Sequence, residues 1–182
     1  MRIISGTYKG KRLQAPKKLP VRPTTDMAKE GLFNILNHHF IFSQVTLLDL
    51  FAGTGNISYE FGSRGTQQIT AVDANYACVS YIKSIATELD FPIDVIKSDV
   101  YKYLEKSKSH RKYDLIFADP PYDFSVEQFK NIATLVFEKN LLQDDGLLII
   151  EHSKHTNIED APNFRNSRKY GGSVFSFFEK SE

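Results

Sequence analysis

An open, doubly wound α/β sheet is the architecture this sequence predicts, and three observations carry that prediction. Apolar runs of strand length alternate with stretches of helical periodicity between residues 45 and 150, and parallel strands need such crossover helices. The most apolar run, 45–51 (VTLLDLF), shows little alternation, as expected of a strand covered on both faces. A glycine-rich turn, an isolated acid and a double proline each follow one of the expected strands, where ligands bind in sheets of this kind.

The elements follow in order. Residues 2–14 read as two short strands around Ser5-Gly6 and Lys9-Gly10, a small hairpin. Residues 15–23 hold three prolines and read as an extended linker. Thr24, Thr25 and Asp26 offer helix caps, and Ala28, Leu32, Ile35 and Leu36 recur at helical spacing, so a helix is expected from 26 to about 39. Strand 45–51 leads through the glycine turn to a short helix, 56–63. Strand 69–72 ends at Asp73, and a helix over 76–89 carries Val79, Ile82, Ile85 and Leu89 on one side. Strand 93–96, helix 100–106, strand 115–118, helix 126–138 and strand 147–150 continue the alternation. Residues 168–170 and 174–178, around Gly171-Gly172, read as a terminal antiparallel hairpin.

Composition excludes several classes of protein. With 182 residues, one domain and a small appendage are expected, divided as a basic extension over 1–23 and a body over 24–182. The single cysteine, Cys78, allows no intrachain disulfide and no cysteine zinc cluster. The five histidines have no supporting ligand pattern, so no metal is expected. No apolar run is long enough to span a bilayer and no secretory signal is evident, so the expectation is a cytoplasmic protein without a membrane partner. Nothing in the sequence demands more than a monomer. The net charge of +1 conceals an asymmetry. Residues 1–25 carry seven basic residues and no acid, leaving 16 basic and 22 acidic residues in the remainder, a net of −6. A basic arm on an acidic body suggests a phosphate-rich partner bound at one end. Lys9, Lys11, Arg12 and Arg22 are the candidate nucleic-acid contacts.

Phe51-Ala52-Gly53-Thr54-Gly55 is a strand-to-helix turn. It lacks the third glycine of a dinucleotide fingerprint, since Ser58 stands there. Asp73 lies 20 residues after Gly53, at the end of the next strand, where a carboxylate can accept both hydroxyls of a ribose. A nucleoside-type cofactor is the shared reading, with Asp49, Phe51, Gly53, Thr54, Gly55, Asn56, Asp73 and Ala74 as candidate contacts. Asp99 and Val100 are candidates for its base, although Asp99 equally suits a helix N-cap.

Asp119-Pro120-Pro121-Tyr122 discriminates further. Its prolines stiffen the backbone and remove donors. The Asp119 carboxylate and the Pro120 carbonyl can then accept both N–H bonds of an exocyclic amine, and Tyr122 can stack on its heterocycle. Such positioning prepares an amine for attack on an electrophilic methyl group. The tetrapeptide has no use in nicotinamide chemistry, so the cofactor expected is S-adenosylmethionine.

DLFAGTG (49–55), VDAN (72–75) and FADPPY (117–122) resemble the motifs of class I S-adenosylmethionine-dependent amino-methyltransferases. More narrowly, RIISGTYKGKRL (2–13), RPTTDMAKEGLFNIL (22–36), IIEHS (149–153) and YGGSVFSFFE (170–179) resemble the bacterial 16S rRNA (guanine-966 N2) methyltransferase family, in the same order over nearly the whole chain. The resemblance implies a Rossmann-like, seven-stranded, mostly parallel sheet with a C-terminal antiparallel hairpin and a small N-terminal hairpin. It implies methyl transfer to the N2 amine of a guanine in small-subunit rRNA, within a partly assembled ribosomal particle. At 56–58 this chain has NIS where the family commonly has a small residue and glycine, and Tyr59 opens a stretch that is alanine-rich in the family. Two rival readings are a DNA adenine-N6 methyltransferase, which DPPY alone allows, and a non-catalytic RNA-binding assembly factor.

Overall fold

The computed structural model of the chain describes residues 1–108 and 110–181. Among these are strands β1 (Thr46–Leu50), β2 (Gln68–Asp73), β3 (Ile93–Lys97), β4 (Tyr113–Ala118), β5 (Leu142–Ser153), β6 (Phe164–Tyr170) and β7 (Ser173–Glu179). The α-helices are α1 (Asp26–Leu36), α2 (Asn56–Ser63), α3 (Tyr76–Glu88), α4 (Val100–Lys106) and α5 (Val126–Glu138). One seven-stranded sheet has the order β3-β2-β1-β4-β5-β7-β6. Strands β1 to β5 pair in parallel, and β7 runs antiparallel to both β5 and β6. The strand order reverses between β1 and β4, which opens a crevice at their carboxyl ends.

Alternation along each strand divides the core between two faces. Leu48, Leu50, Ile116, Ala118, Leu148 and Ile150 meet Leu104 of α4 and Phe129, Ile132 and Val136 of α5. Leu47, Leu115, Phe117, Leu147 and Ile149 meet Leu32, Phe33 and Leu36 of α1 and Ile57 and Phe61 of α2. Each helix needs a start signal. Thr25 Oγ1 accepts from Ala28 N, Asn75 accepts from Ala77 N and Cys78 N, and Ser125 with Gln128 forms a capping box.

Four elements depart most from the sequence expectation, one of them β6, which begins at Phe164 rather than 168. Strand β5 begins at Leu142 rather than 147. Tyr113 pairs with Leu142 and Leu115 with Leu147, so the polar segment between them bulges from the ladder and exposes Gln143, Asp144 and Asp145. Helix α1 stops at Leu36, and His38 and His39 lie in the following turn, exposed. The N-terminal hairpin reduces to one antiparallel bridge, Arg2 to Arg12. Ile3 N and Gly10 N bond across it to the Lys11 and Ile3 carbonyls, whereas Ile4 N and Ser5 N donate to the Glu60 carboxylate of α2 at 2.9 and 3.0 Å. Gly6, at φ +84°, lies against the Ser63 carbonyl, where a Cβ would stand 1.9 Å from the oxygen. Ile3 and Leu13 are buried with Tyr59, Ile82 and Leu89, so residues 1–14 share the core of the body.

The arm is held by a buried ionic cluster. Lys29 and Glu60 have side chains 0% exposed and stand 3.1 Å apart. Lys29 Nζ also donates to the Arg2 carbonyl at 2.6 Å and to Asn56 Oδ1 at 2.8 Å. Arg64 donates to Glu60 from Nε and Nη2, both at 3.0 Å. Burial lowers the Lys29 pKa from the usual lysine value, and the adjacent Glu60 carboxylate opposes that shift. Lys29→Met should therefore reduce unfolding free energy by about 2–4 kcal/mol in a denaturant titration, because Glu60 keeps its burial but loses its main partner. A change below about 0.5 kcal/mol would show that Arg64 alone neutralises Glu60.

Candidate functional site

The carboxyl ends of β1, β2 and β4 enclose a cavity of about 490 Å³. Strand β1 ends in a tight reversal: Phe51 takes φ +55°, Gly53 φ +56° and Gly55 φ +81°, and Gly55 N donates to the Ala52 carbonyl at 2.8 Å. The reversal brings the start of α2 to the cavity, with Gly55 as its N-cap residue. A Cβ on Gly55 would stand 2.5 Å from the Tyr59 ring, so the turn is closed sterically as well as conformationally.

Asp73 ties this turn to β2. Its Oδ2 accepts from Gly53 N and its Oδ1 from Asn75 N, each at 2.8 Å. A carboxylate offers about four lone-pair sites, so two such bonds leave room for hydroxyl donors from the cavity. Asp49 stands beneath the turn, buried, and accepts from Ser58 Oγ at 2.6 Å. Burial pushes its carboxyl up to about 7, against the lowering effect of Ser58. Asp99 caps α4 by accepting from Lys102 N at 3.0 Å, and it also lines the cavity, so both of its sequence readings coexist.

Asp119, Pro120, Pro121 and Tyr122 form the opposite wall. Asp119 N donates to the Leu50 carbonyl at 3.3 Å, which fixes the tetrapeptide against the end of β1. The Asp119 side chain opens partly to the cavity but is surrounded by protein. That burial, followed by the Glu151 and Asp49 charges, raises its pKa well above the carboxylate range. Glu151 of β5 is 1% exposed and is likewise raised by burial. Tyr122 is 51% exposed and projects where a planar group can stack on it.

A second cavity of about 330 Å³ adjoins the first and shares Arg22, Pro23, Thr24 and Tyr122 with it. Glu151, Ser153, Lys154 and Tyr170 are among its other walls. Thr24 lies at the centre of a polar chain: its hydroxyl donates to Glu151 Oε2 at 2.6 Å, and its carbonyl accepts from Asn56 Nδ2 at 3.0 Å. Asn56 accepts in turn from Lys29. The buried cluster beneath the arm is thus continuous, through Asn56 and Thr24, with the carboxylate beside Asp119.

Thirteen of the cofactor and catalytic candidates line the first cavity together: Asp49, Phe51, Gly53, Thr54, Asn56, Asp73, Ala74, Asp99, Val100, Asp119, Pro120, Pro121 and Tyr122. Gly55 shapes the turn without lining the cavity. Arg22 lines both cavities, apart from the other basic candidates. Lys9 and Arg12 are exposed on the arm, whereas Lys11 pairs with Glu88 at 3.1 Å. Tyr8 is committed to packing: its hydroxyl donates to the Leu89 carbonyl and its ring meets Phe91 edge-on. Sequence reasoning missed Val21 and Pro23 from the linker and Phe124 after the double proline, all cavity residues, while Thr24, a helix-cap candidate in the sequence, lines the cavity as well. The aromatic and proline content of those segments was the available signal. Among the described residues no three His, Cys, Asp or Glu side chains gather as for a metal ion, and no helix is long and apolar enough to cross a membrane.

The sheet order with its reversed β7, the glycine turn after β1 and the acid after β2 define a class I methyltransferase fold. The chain belongs to the family described as Conserved hypothetical protein 95, whose family model matches residues 1–179. It is 33% identical over 163 residues to YlbH of Bacillus subtilis strain 168, provisionally named an rRNA methyltransferase, covering 88% of this chain and 86% of that one. It is 29% identical over 164 residues to "Ribosomal RNA small subunit methyltransferase D" of Escherichia coli strain K12, covering 89% and 79%. A solved structure of a hypothetical protein from Thermus thermophilus matches with TM-score 0.84 at 23% identity over 99% of both chains, a likeness of fold.

Asp49 supplies a pH prediction. Its folded carboxyl holds a proton up to about pH 7, while the unfolded one releases it near 3.8. The folded state therefore binds more protons between these values, and stability falls as pH rises from about 4 to 7. Asp49→Asn, which mimics the protonated form, should be about 2–4 kcal/mol more stable than wild type at pH 8, with the gap narrowing toward pH 4 in denaturant titrations. A gap independent of pH would contradict this assignment.

Proposed function

We propose that this protein transfers a methyl group from S-adenosylmethionine to the exocyclic N2 amine of a guanine in small-subunit rRNA. The observation that carries the reading is the placement of Asp119-Pro120-Pro121-Tyr122 across one cavity from the glycine turn and Asp73. The residues present fit the donor. Asp73 retains acceptor capacity for ribose hydroxyls, Phe51, Val100 and Phe124 offer apolar walls for a purine, and the glycine turn leaves backbone close to the cavity. When bound, S-adenosylmethionine supplies an electrophilic methyl carbon on a sulfonium whose bonding pair leaves with sulfur.

The remaining work falls to the chain. The Asp119 carboxylate and the Pro120 carbonyl accept the two N2–H bonds and hold the amine's lone pair toward the methyl carbon. Tyr122 stacks on the base, which must leave its helical stack to reach the cavity. As the new N–C bond forms, the surplus N2 proton passes to the Asp119 carboxylate, whose burial favours the protonated form. The names of the relatives support rRNA as the substrate. Lys9, Arg12 and Arg22 are exposed and supply phosphate contacts on the arm and at the cavity edge.

The test uses labelled S-adenosylmethionine with small subunits from cells lacking the protein, with duplex DNA alongside, and nucleoside mass spectrometry of the products. N2-methylguanosine in rRNA is expected, and Asp119→Ala should lower kcat by about 10³-fold while leaving donor affinity within a few-fold. Equal labelling of DNA with none in small subunits, or normal turnover by Asp119→Ala, would overturn the reading.

A further inference from the structure

The second cavity points to a residue that chooses the base. Resting on the guanine-N2 reading, we infer that Glu151 is the specificity-determining residue, accepting the ring N1–H next to the reactive amine and so admitting guanine while rejecting bases with an acceptor there. Three observations carry this. Glu151 stands on β5, the strand beside β4, and lines the second cavity, whose wall includes Tyr122. It is almost fully buried, so its charge is costly unless a ligand or neighbour donates to it. Thr24 fixes it by donating to Oε2 at 2.6 Å, and Thr24 is itself held through Asn56 by the buried Lys29. A buried carboxylate with a fixed rotamer is thereby placed one strand from the carboxylate that receives the amine.

Chemistry then selects the ligand. An ionised carboxylate only accepts hydrogen bonds, and donors from a bound base, with that of Thr24, favour this form against the burial that raises both carboxyls. Guanine places a ring N–H donor beside its exocyclic amine, so two neighbouring carboxylates find two neighbouring donors. Adenine and cytosine each place a bare ring nitrogen beside theirs, and that acceptor would face Glu151 with no proton between them. A mismatch of this kind sets an acceptor against a buried carboxylate, which rejects more strongly than a missing apolar contact does. The charges around Glu151 agree with this arrangement. It raises the proton affinity of both Asp119 and Tyr122, as expected of a carboxylate close to each.

The test replaces the mapped target guanine by 2-aminopurine in a synthetic segment reconstituted into small-subunit rRNA. This base keeps the amine at C2 but has an acceptor at N1. Wild type should favour guanine by ~100-fold in kcat/KM. Glu151→Gln retains an acceptor for Thr24 and adds an amide that can donate to N1. It should slow guanine methylation while lowering the guanine preference to below ~10-fold. Wild type using both bases equally would overturn the inference whatever the variant does. So would a folded Glu151→Gln enzyme that is slower on both bases with its preference unchanged, since Glu151 would then act on structure alone. If the variant methylates neither base, the wild-type preference decides. Failure of wild type to methylate guanine at all would instead count against the underlying function.

Discussion

The buried pair Lys29–Glu60 is the constraint on which the remaining organisation depends. Two fully buried charges are expensive to desolvate, and their mutual attraction repays that cost only when other partners complete the geometry. Here those partners are the elements being organised. Glu60 takes the backbone donors of Ile4 and Ser5 and the guanidinium of Arg64, while Lys29 donates to the Arg2 carbonyl and Asn56. Arm, α1 and α2 therefore meet at one polar point inside an otherwise apolar contact. From Asn56 the same chain of hydrogen bonds reaches Thr24 and Glu151. The RNA-facing end proposed for the molecule and its proposed catalytic wall thus share one support.

The site follows from topology as much as from motif. Strands β1, β2 and β4 run in one direction, so their last residues open on one crevice, and the glycine turn, Asp73 and the double proline occupy three adjacent strand ends. Pre-organisation comes from backbone bonds: Gly53 N to Asp73 at one wall, and Asp119 N to Leu50 at the other. Methyl transfer asks little more of a protein than such fixed placement, together with an acceptor for one proton.

Much of this was legible in the sequence because the central strands are apolar on both faces and the helices carry clear caps. The glycine turn, Asp73 and DPPY were readable because their residue types serve special backbone or ligand requirements. The unread parts depend on distant partners. Lys29 and Glu60 look like ordinary solvent-facing helix charges until α1 and α2 are packed together. Polar residues 143–145 separate Leu142, which pairs with Tyr113, from the apolar run that starts at Leu147, so the first part of β5 is cut off from its hydrophobic signature. Asn56, Ser58 and Tyr59 looked like departures from the resembled pattern, yet each has a structural use. Asn56 bridges Lys29 and Thr24, Ser58 bonds Asp49, and the Tyr59 ring fills the space under Gly55. The net charge of +1 hid the basic arm because a sum over the chain discards position.

The central claim is a single modified base, and its most direct measurement is made in cells. Small-subunit rRNA from a strain lacking this protein, digested and mapped by mass spectrometry against the parent, should have lost the N2 methyl group from one guanine and regained it on expression of the wild-type chain. Identical modification in both strains, or loss of a methyl group from DNA instead, would contradict the account.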